Sequence, residues 1–278
     1  MSDERLRELE RRWKETRAVQ DEAACLSERV RSGNLDRERL RLAAYLGNEA
    51  SREALGEGSW SLADYRSRLL SRASMGDFGA DSDYLMAYLG DESKREPYGI
   101  GPGYWPSTAR EHDLATLEIM LIEWSQQALV RALLAIAWTT RPIWESVPAE
   151  VLESYPESAG SALSDALDAA EAWLSNPSDD TAGTAFGAAD TAGIVAARGQ
   201  GNWSKAAFLV SSAAYASAQE KFGSTLGERL RGLLSAERLL GSEVLHDAIA
   251  SELVPYLLGY SDPVRERVEA RQREAAGE

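Results

Sequence analysis

The chain has 278 residues and a net charge of −15, a length that suits one large domain or two modest ones. Residues 1–75 carry a net charge of +1 and residues 76–278 a net charge of −16. This distribution argues against nucleic acid and against a membrane surface as partners, and it favours a basic protein partner. Acidity that serves only solubility is the simpler alternative.

Targeting and redox features predict a cytoplasmic protein. The N-terminal residues mix both charge signs without an apolar stretch, so no signal peptide is expected. The uncharged run Ala206–Gln219 has 14 residues, fewer than the about 20 that a membrane-spanning helix needs. The single cysteine, Cys25, excludes an internal disulfide and a cysteine-rich metal site.

Alanine, leucine, glutamate and arginine dominate the chain and β-branched runs are absent, which predicts an all-α protein. Helix-compatible spacing of apolar residues covers residues 3–31, and a glycine ends this stretch. Cap and stop residues then delimit shorter helices. Their predicted ranges are 37–46 after the cap Asp36, about 48–55 after Asn48, 62–74 after Ser61 and about 81–89 before Gly90.

The first third of the chain contains an internal repeat. Segment 44–53 recurs at 87–96 with seven of ten residues identical, at an offset of 43 residues. Upstream, Gly33 corresponds to Gly76 at the same offset. A unit of this length suits a helical hairpin of the HEAT or armadillo class. Residues 1–95 are therefore predicted to form a short helical-repeat region with two copies.

Residues 96–107 interrupt the helical pattern with three prolines and three glycines. This connecting loop is the predicted domain boundary. Its aromatic side chains, which include Tyr98, Tyr104 and Trp105, would be costly to leave in water. The loop is therefore expected to pack across the junction.

Residues 108–262 are predicted to form an alanine-rich helical bundle. It begins with a long apolar helix at about 108–140, capped by Ser107 and bent or ended by Pro142. Gly183 and Gly187 are expected to let a neighbouring helix approach closely. The remaining predicted helices cover about 148–155, 158–175, 181–197, 203–221, 225–240 and 243–258, and a terminal helix at 263–278 is expected to fray.

Residue patterns typical of catalysis are scarce. Glu243 and His246 have the Glu-x-x-His spacing of di-iron bundles, but no second motif accompanies them, so a solvated pair is the simpler interpretation. His112 lies among acids in the first turn of a predicted helix, where acids are expected anyway. Asp165 and Asp168 share one helix face, a pairing that an acidic chain produces by chance. No phosphate-binding loop, nucleophile elbow or zinc spacing is present. We expect no catalytic residue, metal or cofactor, and no enzymatic activity.

The chain has eight tryptophans, and two interpretations of them remain open. Most of them would fill the core of a helical protein. Alternatively, an aromatic surface surrounds the 96–107 loop and the bend at Pro142. This surface would consist of Trp105, Trp138, Trp144, Tyr98 and Tyr104. Aromatic side chains of this kind anchor many protein interfaces, so these five residues are the predicted partner- or ligand-binding residues.

Residues 115–219 carry a further pattern. A long helix ends in the sequence 141–145 (RPIWE), the sequence 166–174 (ALDAAEAWL) follows, and alanine-rich helices continue through 206–218. This order resembles bacterial helical immunity proteins of the Imm5-like kind. The resemblance implies a binding role in which the chain neutralises a toxin partner, and it brings no catalytic residues with it.

Together these patterns predict a non-enzymatic protein–protein interaction module. It is expected to serve as an immunity or regulatory protein in a bacterial conflict or defence system, with a basic protein as partner. A helical bundle that binds a small molecule or lipid in an aromatic pocket near the 96–107 loop is the alternative. The sequence leaves the oligomeric state open.

Overall fold

The computed structural model describes residues 2–56, 61–98, 105–154, 159–222 and 232–276. Every regular element in these ranges is helical and none is a strand. The predicted all-α fold class is thereby confirmed. No helix in the same ranges is long and apolar enough to cross a bilayer.

The helices are numbered here in chain order. They are α1 (Ser2–Thr16), α2 (Val19–Arg31), α3 (Arg37–Tyr45), α4 (Glu49–Leu55), α5 (Leu62–Ser74), α6 (Ser82–Leu89), α7 (Ala109–Trp124), α8 (Gln126–Thr139), α9 (Arg141–Trp144), α10 (Ala149–Ser154), α11 (Ala159–Ser175), α12 (Asp179–Arg198), α13 (Gly201–Phe222), α14 (Gly232–Leu240), α15 (Ser242–Leu258) and α16 (Pro263–Ala276). Short 3-10 turns lie at Gly79–Asp81, Glu92–Lys94 and Glu96–Tyr98.

The chain divides into two compact units. Unit 1 contains residues 1–61 and 249–263, and unit 2 contains residues 62–248 and 264–278. Unit 1 therefore joins the N-terminal helices to the second half of α15, which belongs to the other end of the chain. The predicted division placed the boundary in the 96–107 loop, which in the structure lies within unit 2.

Unit 1 is held together by contacts between its two chain segments. Arg29 Nη1 on α2 donates to the carbonyl of Leu258 at 2.6 Å, where α15 ends. The ring centroids of Trp13 and Tyr260 lie 4.9 Å apart, and the Tyr260 hydroxyl donates to Glu22 Oε1 at 2.6 Å. Burial, and secondly the Glu22 carboxylate, raise the pKa of Tyr260, so this phenol stays a donor.

Two stretches expected to be continuous helices are each broken by one or two extended or left-handed residues. Within the stretch 3–31, α1 ends at Thr16 and α2 begins at Val19, and Arg17 between them has φ +54°. The expected helix 108–140 is interrupted at Ser125, which is extended. Its side chain accepts a hydrogen bond from the backbone N–H of Ala128 and so caps α8. Neither break contains glycine or proline, and the helical spacing of apolar residues continues across both. The sequence pattern therefore gives no sign of either break.

The two sequence repeats share local geometry. Arg52 Nε donates to the carbonyl of Ala44 at 3.0 Å, and Arg95 Nε donates to that of Ala87 at 3.1 Å. The segments differ afterwards, because the first copy continues as α4 whereas the second forms a 3-10 turn. The first copy belongs to unit 1 and the second to unit 2. A stacked pair of helical hairpins stays a prediction.

The bundle of unit 2 is built from α8, α11, α12 and α13, whose facing positions are largely alanine. The small side chains allow a polar side chain to reach the backbone of the neighbouring helix: Ser211 Oγ donates to the carbonyl of Ala189 at 2.9 Å. A Cβ on Gly193 would lie 3.2 Å from the same hydroxyl, whereas one on Gly183 or Gly187 would meet nothing within 4 Å. The expected close helix approach therefore occurs at Gly193 and not at the two glycines named from sequence.

The first turn of α14 is fixed by a buried carboxylate. Glu118 of α7 is fully buried, and its Oε1 accepts from the backbone N–H groups of Gly232 at 2.8 Å and Leu233 at 3.2 Å. A helix N-terminus presents unpaired N–H groups and a partial positive charge, which an acid satisfies. A Cβ on Gly232 would lie 2.5 Å from Leu133 Cδ2 and 3.2 Å from Glu118 Oε1.

Gly232→Ala is therefore expected to lower the free energy of unfolding by about 1–3 kcal/mol, because the added methyl group overpacks this contact. Urea unfolding measures the effect. Gly183→Ala is the matched control: its methyl group enters open space within a helix, where alanine is about 1 kcal/mol more favourable than glycine. Equal stability of the two variants would contradict the assignment.

Candidate functional site

Of the five aromatic residues predicted to bind a partner or ligand, the four that the structure describes do not form one surface. Tyr104 lies outside the described residues. Trp105 and Trp144 are 3% and 4% exposed, so both are core residues, as the simpler interpretation of the tryptophans held. Tyr98 and Trp138 are half-buried and have different neighbours.

Trp105 belongs to a buried aromatic cluster with Tyr98. Its ring centroid lies 5.8 Å from that of Tyr84 and 6.1 Å from that of Tyr98. The guanidinium of Arg95 lies 5.4 Å from the indole centroid, and the Trp105 carbonyl accepts from Arg238 Nη2 at 3.0 Å. The cluster includes core residues of both α6 and α7, so Trp105 belongs to the core that these two helices share. Residues 99–104 lie outside the described residues, so the packing of the whole loop across a junction stays a prediction.

Trp144 joins the short helix α9 to the bundle. Its Nε1 donates to the carbonyl of Ala137 at 2.9 Å, and its own carbonyl accepts from Trp203 Nε1 at 3.0 Å. Buried indoles need a partner for the N–H group, and both indoles have one here. Trp144 therefore connects α9 to both α8 and α13.

Trp138 differs from these two because its neighbours are charged. Its Nε1 on α8 donates to Glu171 Oε1 on α11 at 2.9 Å. The guanidinium carbons of Arg141 and Arg271 lie 5.0 Å and 5.9 Å from the ring centroid. Both distances are within the range of cation–π attraction. The indole thus binds one anion at its edge and two cations near its ring.

Glu171 is completely buried, and its carboxylate pairs with two arginines of α16. Arg267 Nε lies 3.5 Å from Glu171 Oε1, and Arg271 contacts Glu171 Oε2. Arg271 Nη1 also lies 2.6 Å from Oδ1 of Asp168, an exposed residue on the same helix as Glu171. Acidic side chains are rarely buried without such partners. We refer to Trp138, Asp168 and Glu171 as the arginine site.

The arginine site matches a guanidinium in shape and charge. Guanidinium groups are planar, stack on aromatic rings and form directed hydrogen bonds to carboxylates. The site offers an indole ring on which a guanidinium can stack. It also offers one buried and one exposed carboxylate that can accept hydrogen bonds from the guanidinium. A lysine ammonium shares the charge but not the planar fork. Arginine binding is therefore the chemistry that this arrangement supports.

Sequence reasoning found Trp138 and noted Asp168 but overlooked Glu171. A signal for Glu171 was present, because it lies on the same helix stripe as Leu167 and Leu174, which are buried. A lone charge on an apolar stripe indicates a buried ion pair. The partner arginines lie far along the chain, and no local pattern connects them to α11.

The two histidines have different neighbours. His246 Nδ1 lies 3.8 Å from the carboxylate of the next residue, and Glu243 is exposed. His112 is half-buried; burial, and secondly the charges of Arg66 and Arg95, lower its pKa. No group of three or more metal-ligating side chains converges among the residues described.

A cleft of about 360 Å³ lies in unit 2 at the start of α12. Its walls include Gln126, Trp173, Pro177, Ser178 and Ser217. The predicted ligand pocket was placed near the 96–107 loop, so this cleft is a different location.

Comparison with known protein families, with curated proteins and with solved structures finds no match to this chain. The resemblance to bacterial immunity proteins accordingly stays a prediction.

Proposed function

We propose that this protein is a non-enzymatic protein-binding module whose partner is a basic protein that presents arginine. The observation that supports it is the arginine site, where a completely buried carboxylate, an indole and an exposed carboxylate together hold guanidinium groups. An immunity or regulatory role in a bacterial conflict or defence system is the biological setting that we propose for this binding.

The charge distribution supports the same partner chemistry. Residues 76–278 carry a net charge of −16, and exposed acids such as Asp165 and Asp190 lie on helices of the bundle in unit 2. A field of one sign accelerates encounter with a partner of the opposite sign, and salt screens it. The proposal therefore predicts binding that weakens as ionic strength rises.

Affinity capture from the native host, with the intact protein as bait, tests the proposal. We expect one stoichiometric basic partner whose association rate falls with ionic strength. Asp165→Asn/Asp190→Asn should slow association. Glu49→Gln/Glu53→Gln removes the same charge from exposed positions of α4 in unit 1 and serves as the control. An acidic partner, or equal slowing by both double variants, would contradict the electrostatic argument, and capture of no protein would contradict protein binding.

Small-molecule or lipid binding by the helical bundle is the second candidate function. The cleft at the start of α12 favours it, since about 360 Å³ falls within the range of small-ligand sites. This candidate predicts a molecule retained through purification and a rise in the thermal midpoint when that molecule is added back. Mass spectrometry of the denatured protein would identify such a molecule.

A further inference from the structure

The C-terminal helix α16 is attached to α11 mainly by charged contacts. Among its described side chains, Val264 is the one that is fully buried, and Pro263, Arg267, Val268 and Ala270 are half-buried. Its other described side chains are charged and exposed. Helices of globular proteins usually gain their stability from an apolar face, and this helix has little of one.

The arginines that hold α16 share one face of the helix. Arg267 and Arg271 are four residues apart, so their side chains lie one above the other. Both pair with Glu171, and Arg271 also pairs with Asp168. The arginines outside this pairing behave differently: Arg265 pairs with Glu269 of its own helix, and Arg273 donates to the carbonyl of Glu269.

Replacing α16 by another arginine-bearing helix costs less free energy than releasing α16 with nothing in its place. If α16 left without replacement, the buried carboxylate of Glu171 would lose its cations, which is strongly unfavourable. If another helix supplied two arginines with the same spacing, Glu171 would keep equivalent partners and little apolar burial would be lost. The contacts of α16 are thus ones that a basic helix of another protein reproduces.

We propose that α16 is a displaceable occupant of the arginine site, and that a helix with arginines four residues apart on a partner protein replaces it. The partner's nature rests on the function proposed above, whereas the exchange itself is tested without any partner. In this arrangement α16 lowers the apparent affinity of the site for weak or nonspecific basic chains, because each must compete with it.

The probe is a fluorescent synthetic peptide with the sequence of residues 263–276. It is titrated into three full-length proteins: the unaltered chain, Arg267→Ala/Arg271→Ala, and the control Arg265→Ala/Arg273→Ala. We expect the peptide to bind the Arg267→Ala/Arg271→Ala protein at least about tenfold more tightly than the other two, since the internal competitor is weakened there. A peptide in which both site-facing arginines are alanine should not bind.

A second readout locates the binding. The indole N–H resonance of Trp138, assigned with a Trp138→Phe variant, should shift in the Arg267→Ala/Arg271→Ala protein and return when the arginine peptide is added. If that double variant does not fold, Arg267→Lys/Arg271→Lys keeps the charge without the planar fork and should still bind the peptide more tightly than the unaltered chain.

Equal peptide affinity for all three full-length proteins would overturn the proposal, as would binding that does not depend on the peptide's arginines. Failure of the proposed function has a different signature: the peptide exchanges as expected, yet host extracts yield no basic partner. Peptide titration therefore tests the exchange of α16, and affinity capture separately tests the proposed function.

Discussion

Glu118→Ala is expected to lower the free energy of unfolding by about 2–5 kcal/mol. Its carboxylate accepts the N–H groups of Gly232 and Leu233 in a fully buried position, and each buried donor left without a partner costs about 1–3 kcal/mol. Urea unfolding measures the loss. Glu118→Gln retains one oxygen acceptor and should lose less.

Glu243→Ala provides the reference for this experiment, because Glu243 is exposed on α15 and exposed substitutions usually change stability by less than about 0.5 kcal/mol. If Glu118→Ala costs no more than Glu243→Ala, the carboxylate does not fix the start of α14.

Acidification from about pH 5 to about pH 2 is expected to remove about 3 kcal/mol of stability through Glu111 alone. Burial would raise the pKa of this carboxyl, but hydrogen bonds from Arg238 and Ser107 outweigh it and lower the pKa to about 2. Arg238 Nε lies 2.8 Å from Oε1, and the Ser107 N–H and hydroxyl lie 2.7 Å and 2.6 Å from Oε2.

The sign of the pH effect follows from the depressed pKa. A carboxyl whose pKa is lower in the folded state than in the unfolded state stabilises the fold above the unfolded value, near 4.5, and this contribution disappears as the pH falls to the folded value. Urea unfolding of the unaltered protein and of Glu111→Gln as a function of pH isolates the contribution. Parallel profiles for the two proteins would contradict it.

Helix content and many helix ends were predictable because their causes are local. Asp36 and Asn48 cap α3 and α4 as expected, since a cap needs only a short polar side chain beside an apolar run. The cap of α7 is Thr108, one residue after the predicted Ser107, because Thr108 and Glu111 complete a capping box. The breaks at Arg17 and Ser125 escaped prediction, since neither residue type interrupts a helical pattern by itself.

The candidate site was predictable only in part, because its residues come from two helices, α8 and α11, and the arginines that occupy it come from a third, α16. The sequence singled out Trp138 and grouped it with Trp105 and Trp144, and composition alone does not distinguish a buried tryptophan from a half-buried one. What distinguishes Trp138 is Glu171 on α11 and Arg271 on α16. Such long-range pairs depend on how the helices pack.

The discontinuity of unit 1 has a consequence for synthesis on the ribosome. Residues 1–61 leave the ribosome well before residues 249–263, which complete the same unit with Leu258 and Tyr260. At about 5–20 residues per second, roughly 10–40 s of translation separate the two segments. During this interval the N-terminal helices lack the segment that completes their unit. We therefore expect unit 1 to finish folding only after most of unit 2 has been synthesised, whereas domains usually fold in order from the N-terminus. A nascent chain arrested before residue 249 should accordingly show a protease-sensitive N-terminal region.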